Sequence, residues 1–187
     1  MARRSAASRF GDTHTVLVRV GSRGSRLALT QAELATAKLR APGIEIALLP
    51  ITTAGDRDRT KPFGEIGSRG VFVKELEEAL LDHRIDVAVH SAKDMTSLDP
   101  DGLAVGAYLT RDDPRDALCG AEAIRPGMRI GTASVRRKAR ERGLDALILA
   151  SCGLDRLGLG GEIGRRLPIE TMLPEAAQGA IAQASSS

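Results

Sequence analysis

Apolar and polar positions change rhythm several times along this chain, and each change marks an element. Residues 15–20 read TVLVRV, a β-branched apolar run that predicts a strand. Gly21-Ser22-Arg23-Gly24-Ser25 then predicts a turn. Ala28, Ala32, Ala35 and Leu39 recur at i, i+4, i+7 and i+11, one continuous face of a helix over residues 26–40. Ser25 is suited to cap that helix, and Pro42-Gly43 to stop it. Residues 44–52, IEIALLPIT, predict the next strand. Strand, turn, helix, strand is a βαβ unit, and such units build parallel sheets.

The rhythm then breaks. Residues 53–70 are charged and rich in Gly, the pattern of a long functional loop. A helix is predicted over residues 71–82, with Phe72, Leu76, Ala79 and Leu80 on one face. Strands follow at 85–89 and 103–109, the second after the turn Asp99-Pro100-Asp101-Gly102. From Met128 the opening pattern returns: Met128-Arg129-Ile130-Gly131-Thr132-Ala133-Ser134 repeats the strand, Gly and hydroxyl order of Val18 to Ser25. A helix at 135–142, an apolar strand at 145–150 and the segment 153–159 complete it. Two lobes that each open with strand, Gly, hydroxyl and helix predict a ligand held between them.

Composition narrows the classes. Hydrophobic residues are 42% and charged residues 27%, ordinary for a soluble globular protein. No apolar run is long enough to span a bilayer. Residues 1–14 are Arg- and Ser-rich, with only Arg3-Arg4 to hint at a twin-arginine signal and no apolar core behind it. They predict a frayed extension on a cytoplasmic protein. Cys119 and Cys152 have neither disulfide-framework nor zinc spacing and are expected as buried thiols. His14, His83 and His90 do not cluster as metal ligands. The net charge of +3 favours anionic ligands weakly, and no Trp, one Tyr and three Phe are too few for base stacking. A small polyanion fits better than nucleic acid.

The repeated turns carry the first candidate chemistry. Gly lets backbone approach a ligand, a helix N-terminus presents N–H groups to an anion, and Ser25, Thr132 and Ser134 add hydroxyls. Ser25 and Ser134 can equally serve as caps, and the two roles are compatible. Arg136-Arg137 at a helix start sit against the helix dipole unless an anion is near, and guanidinium pairs grip carboxylates bidentately. They also suit a solvated charged face; Arg23 reads the same way. The run Asp86 to Asp94, DVAVHSAKD, is apolar on both faces through Val87-Ala88-Val89 and brings His90, Ser91, Lys93 and Asp94 to a strand's carboxyl end, where α/β sheets bind ligands. Spacing alone leaves Lys93 equally open to a structural salt bridge.

Residues 70–95, GVFVKELEEALLDHRIDVAVHSAKDM, resemble the central segment of hydroxymethylbilane synthases, also called porphobilinogen deaminases. So do VGSRGSRLALTQA (20–32), TAGD (53–56), RDDPRDAL (111–118), GTASVRRKA (131–139), LASCGLDRLGL (149–159) and LPEAAQGA (173–180), all in the family's order. The resemblance implies an α/β fold of two lobes like type II periplasmic binding proteins, with mixed sheets, helices on both faces and the site between the lobes. It implies one domain from 15–108 and 174–187 and a second, shortened, from 109–173. It further implies condensation of porphobilinogen, with loss of ammonia, into a linear tetrapyrrole on a dipyrromethane cofactor.

By matching position, Asp94 would be catalytic. Arg23, Ser25, Arg69, Ser91, Lys93, Thr132, Ser134, Arg136, Arg137, Arg156 and Gln178 would bind the carboxylate-rich substrate and cofactor. Gln178 and Gly179 would mark the crossover back to the first domain. Glu65 departs from a Lys common in the family's lid. After Arg140 the chain runs into Glu141 without the family's LRGN-type turn. The family's third domain and its cofactor-bearing cysteine have no counterpart, and neither Cys119 nor Cys152 has that cysteine's sequence context. An enzyme acting as a monomer without nucleic acid or membrane is expected first. A non-catalytic binder of a pyrrole or other polycarboxylate, or an inactive fragment, stays open.

Overall fold

The computed structural model describes residues 15–53, 73–96, 100–132 and 143–187. β1 (Val16–Arg23), α1 (Arg26–Ala37) and β2 (Ile44–Ile51) form the expected unit, with β1 and β2 parallel from Val16↔Ile44 to Arg23↔Ile51. That register draws Gly21, Ser22 and Arg23 into the strand, so the predicted turn shrinks to Gly24-Ser25. Ser25 caps α1 by accepting a hydrogen bond from the Ala28 N–H at 3.3 Å. The helix stops at Ala37, short of residue 40. Its end tightens as the Leu39 N–H turns to the Thr36 carbonyl at 2.9 Å, and the residue before Pro42 disfavours helix.

α2 (Lys74–Leu81) leads through a turn to β3 (Val87–Ser91). This strand begins two residues later than its apolar run suggested, because the Arg84 and Ile85 N–H groups are still bonded to Ala79. It also ends before the charged pair: Lys93 and Asp94 lie on a 3-10 turn, Ala92–Asp94. β4 (Leu103–Tyr108) and β9 (Ile181–Ser186) complete a five-stranded mixed sheet ordered β2-β1-β3-β9-β4, with β9 antiparallel to both its neighbours.

Alternation along β3 sorts the core onto two faces. Ala88 joins Leu76, Ala79 and Leu80 of α2, with Leu103 and Ala184, on one side. Val89 joins Val20, Ile181 and Ala32 and Ala35 of α1 on the other. Helices therefore cover both faces, which is why β3 reads as unbroken apolar sequence.

The second sheet is ordered β6-β7-β5-β8, from β5 (Asp116–Cys119), β6 (Ile130–Thr132), β7 (Ala146–Ala150) and β8 (Ile163–Arg166). β6 and β7 are parallel and β5 is antiparallel to both its neighbours. The segment at 153–159 proves to be mostly helical, within α3 (Ser151–Arg156) and the residues after it. Leu118, Ala146 and Leu167 form the small core on this sheet.

The repeated glycines, expected to let backbone approach a ligand, also have a packing role. A Cβ on Gly21 would press into Ile85 and Leu76; one on Gly131 would lie 2.6 Å from Leu144 and 2.8 Å from Leu147. Cys152 is buried as expected, but Cys119 is only half-buried on the short β5. The expected loop at 53–70 beyond Thr53, Phe72 and the helix at 135–142 lie outside the described residues. Among the described residues no helix is long and apolar enough to cross a membrane.

Candidate active site

The carboxyl end of β3 and the connections between the sheets converge on one place. β3 ends at Ser91, opposite Ile181 of β9, and the chain turns at once into Ala92–Asp94. The Ala92 N–H donates to the Ala180 carbonyl at 3.1 Å, so the turn is fastened to the segment entering β9. Asp94 is half-buried there. Burial pushes its carboxyl above the usual range; the charges of Lys93 and Arg23 pull it back, and Glu175 adds a smaller upward push. A carboxylate in that setting can accept N–H bonds and exchange protons with a ligand.

Among the described residues Lys93 does not form the salt bridge that spacing left open. Its Nζ donates to Gln178 Oε1 at 3.0 Å. Gln178, 2% exposed, donates its amide N–H groups to the Pro114 carbonyl at 2.7 Å and to Asp116 Oδ1 at 3.0 Å. Its own carbonyl accepts from Arg111 Nε at 2.8 Å, and the Asp112 N–H donates to the Gly179 carbonyl at 3.1 Å. Gly179 has φ +91°, and a Cβ there would meet the Asp112 carbonyl oxygen at 2.5 Å. Only glycine fits this close crossing of the two connecting segments.

Arg156 points into the same crossing. Its side chain is 4% exposed; Nε donates to Asp112 Oδ2 at 2.8 Å and Nη2 to the Gly179 carbonyl at 2.6 Å. The cation expected to hold a ligand carboxylate is thus engaged with a protein one. Cys152 lies nearby on α3; burial pushes its thiol up, partly offset by Arg156 and Lys93.

The structure therefore brings together Arg23, Lys93, Asp94, Arg156 and Gln178, with Ser91 at the strand end. Ser25 acts as the α1 cap close to Arg23. Thr132 is exposed at the end of β6, on the second sheet. Arg69, Ser134, Arg136 and Arg137 lie outside the described residues. Sequence reading assigned no role to Asp112, Asp113, Arg115 and Asp116, although RDDPRDAL is dense in opposite charges. Asp113 accepts from Arg115 Nη2 at 2.8 Å and Arg166 Nη1 at 3.3 Å, and these guanidinium groups hold its carboxyl down to about 2.

His90, one residue before the strand end, is 5% exposed and held neutral by burial, which pushes it down to about 4. Among the described residues its Nε2 has no hydrogen-bond partner.

The described residues thus form a two-sheet α/β protein with a charged cluster where its sheets are joined. The family model for "Porphobilinogen deaminase, dipyromethane cofactor binding domain" matches residues 18–144 and 138–187. This chain belongs to the porphobilinogen deaminase family, and its architecture accords with that family's periplasmic-binding-protein-like fold. It is 39% identical over 196 residues to a porphobilinogen deaminase of Syntrophotalea carbinolica, covering 88% of this chain and 62% of that protein. It is 40% identical over 203 residues to one of a Caulobacter species, covering 88% and 64%. The chain thus spans less than two thirds of these relatives' length.

Among solved structures it is similar to the BvgS VFT2 domain of Bordetella pertussis. That match has 14% identity and a TM-score of 0.48, over 91% of this chain and 80% of that one. It is also similar to the regulatory domain of MexT from Pseudomonas aeruginosa, with 13% identity and a TM-score of 0.48 over 93% and 90%.

Proposed function

We propose that this chain performs the deaminating condensation of porphobilinogen into a linear tetrapyrrole, with Asp94 as its catalytic residue. The observation that carries the reading is the half-buried Asp94 carboxyl at the end of β3, set between the charges of Lys93 and Arg23. Porphobilinogen bears a pyrrole N–H and two carboxylates. An ionised Asp94 accepts the N–H and stabilises the cation left when ammonia departs. Its raised proton affinity suits it to take up and return protons during that step. Arg23 and Lys93 supply positive charge for substrate carboxylates, aided by Ser25, Ser91 and Thr132. Arg69, Ser134, Arg136 and Arg137 are assigned the same task from matching position. A substrate carboxylate reaching Arg156 competes with Asp112, while Gln178 acts beside Lys93.

A dipyrromethane is itself a polycarboxylate, and the cations around Asp94 fit it. When bound, it supplies the pyrrole carbon that accepts the incoming unit. Cys152 is a poor anchor for it, because burial disfavours its thiolate. The reading places the two domains at 15–108 with 174–187 and at 109–173, supported by β9 lying in the first sheet. It also places the protein in the cytoplasm as a monomer, without nucleic acid or membrane.

A second reading keeps the same cations as a non-catalytic holder of pyrrole carboxylates, since Arg23 and Lys93 would grip such groups without turnover. Ammonia release from porphobilinogen, measured with and without a preformed dipyrromethane primer, separates the two. The enzyme reading expects primer-dependent release that falls about 100-fold or more in Asp94→Ala. Saturable porphobilinogen binding with no release under either condition overturns it in favour of the holder.

A further inference from the structure

Gln178, on the crossover, accepts a hydrogen bond from Lys93, and its chemistry constrains how it does so. The amide nitrogen lies 2.7 Å from the Pro114 carbonyl oxygen and 3.0 Å from Asp116 Oδ1. A carbonyl and an ionised carboxylate can only accept, so the NH2 end must face them. Oε1 is thereby turned to Lys93 Nζ at 3.0 Å. The backbone of the residue is fixed as well, its N–H donating to the Glu175 carbonyl at 3.0 Å and its carbonyl accepting from Arg111. Nothing about this amide is free to turn.

A carboxylate in the same place would fit the distances but not the electrostatics. It would face Asp116 and would give Lys93 a counter-charge. A neutral acceptor adds no counter-charge to the ammonium and, among the described residues, leaves two of its three N–H donors to spare. The charge matters because Lys93 adjoins Asp94 on the same 3-10 turn. The other charged groups acting on Asp94 are Arg23 from β1 and Glu175 from the crossover; Lys93 also acts on Cys152 of α3.

We propose that Gln178 is a positioning residue. It anchors Lys93 through a neutral acceptor, so that the full ammonium charge is held beside Asp94 with its spare N–H groups available to a ligand carboxylate. The inference rests on the reading of Asp94 as the catalytic group and deepens it. It also ties the site to the second sheet: the amide is aimed by Pro114 and Asp116, at the entry to β5. Lys93 is therefore correctly held only while β5 keeps its place against the crossover.

The test is a cycle of Gln178→Met and Lys93→Met in the full chain. Its readout is the Asp94 titration, followed by carbon-13 NMR of labelled aspartate and assigned with Asp94→Asn. Gln178→Met is expected to move the Asp94 midpoint up by about half a pH unit and weaken porphobilinogen binding about five- to tenfold. In the Lys93→Met background the same change should leave the midpoint unmoved. A midpoint unaffected by Gln178→Met, whatever its effect on thermal stability, makes the amide merely structural and overturns the proposal. So does a shift of equal size in both backgrounds. Should Gln178→Met not fold, Gln178→Asn, which keeps a neutral amide but shortens its reach to Lys93, is carried through the same cycle under the same criterion. If the wild-type chain binds porphobilinogen without releasing ammonia, the activity reading fails, yet the titration cycle still decides the role of Gln178.

Discussion

The two sheets reach similar architecture by different means. The first is clamped between α1 and α2, and Val20, Leu76, Leu80 and Ala88 are at most 1% exposed. The second has, among the described residues, a core of Leu118, Ala146 and Leu167, and its margins are held by charge. Arg166 bonds Asp155 at 2.8 and 2.9 Å and also reaches Asp113, while the Arg129 N–H donates to Asp145 Oδ2 at 2.7 Å. Asp94 and Lys93 stand on the apolar platform; the groups that aim them stand at the border of the charged one. Apolar packing resists distortion in every direction, whereas an ion pair fixes one direction and yields to salt. The rigid sheet thus carries the proposed catalytic pair, and the salt-sensitive sheet sets its alignment.

The largest test of this contrast is truncation of each core. Leu80→Ala and Leu118→Ala should each lose about 3–4 kcal/mol in urea unfolding. Hydrogen exchange distinguishes them: Leu80→Ala should lower protection throughout β1, β3 and β9, and Leu118→Ala mainly in β5 and β7. Equal loss of protection everywhere in both variants would show a single cooperative unit instead.

Acid should find a weak point in the apolar sheet. His90 sits at about 4 in the folded chain against an ordinary 6.5. Below about pH 6.5 the unfolded chain binds a proton that the folded chain refuses, so stability falls as pH drops. The loss ends near pH 4 and sums to about 3 kcal/mol. Urea midpoints across that window should decline in the wild type and flatten in His90→Gln; parallel curves would remove His90 as the cause.

The smallest effects should separate the two kinds of surface charge. Arg166→Ala should lose about 1 kcal/mol, an effect reduced by added salt. Lys74→Ala breaks an exposed pair with Glu78 at 3.8 Å and should leave the thermal midpoint unchanged.

Local rhythm was enough to find β1, α1, β2 and α2, because each buries a regular face against the first sheet. It failed for β5, β8 and β9. Their sequences, DALC, IGRR and IAQASS, are short or poor in β-branched residues. They are strands because neighbouring strands claim their backbone groups. In the candidate site, the placement of Lys93 and Asp94 just beyond a strand's end was legible from the apolar run before them. The Lys93–Gln178 contact was not, since the residues are 85 positions apart and neither has a local pattern that names the other. Arg156 was read as a ligand cation from its position. Its pairing with Asp112 depends on a crossing of distant strands that Gly179 alone permits.

The place of β9 also has consequences for synthesis. It is bonded on one side to β3 and on the other to β4, and among the described residues β4 has no other neighbour in its sheet. Yet residues 181–186 follow every strand of the second sheet. As the chain leaves the ribosome, β1 to β3 wait with an open edge, and β4 waits with nowhere to dock. The strands of the second sheet can meanwhile pair among themselves. The keystone of the first sheet is translated after the strands it joins, and until it arrives the free edge of β3 is open to strands from other nascent chains.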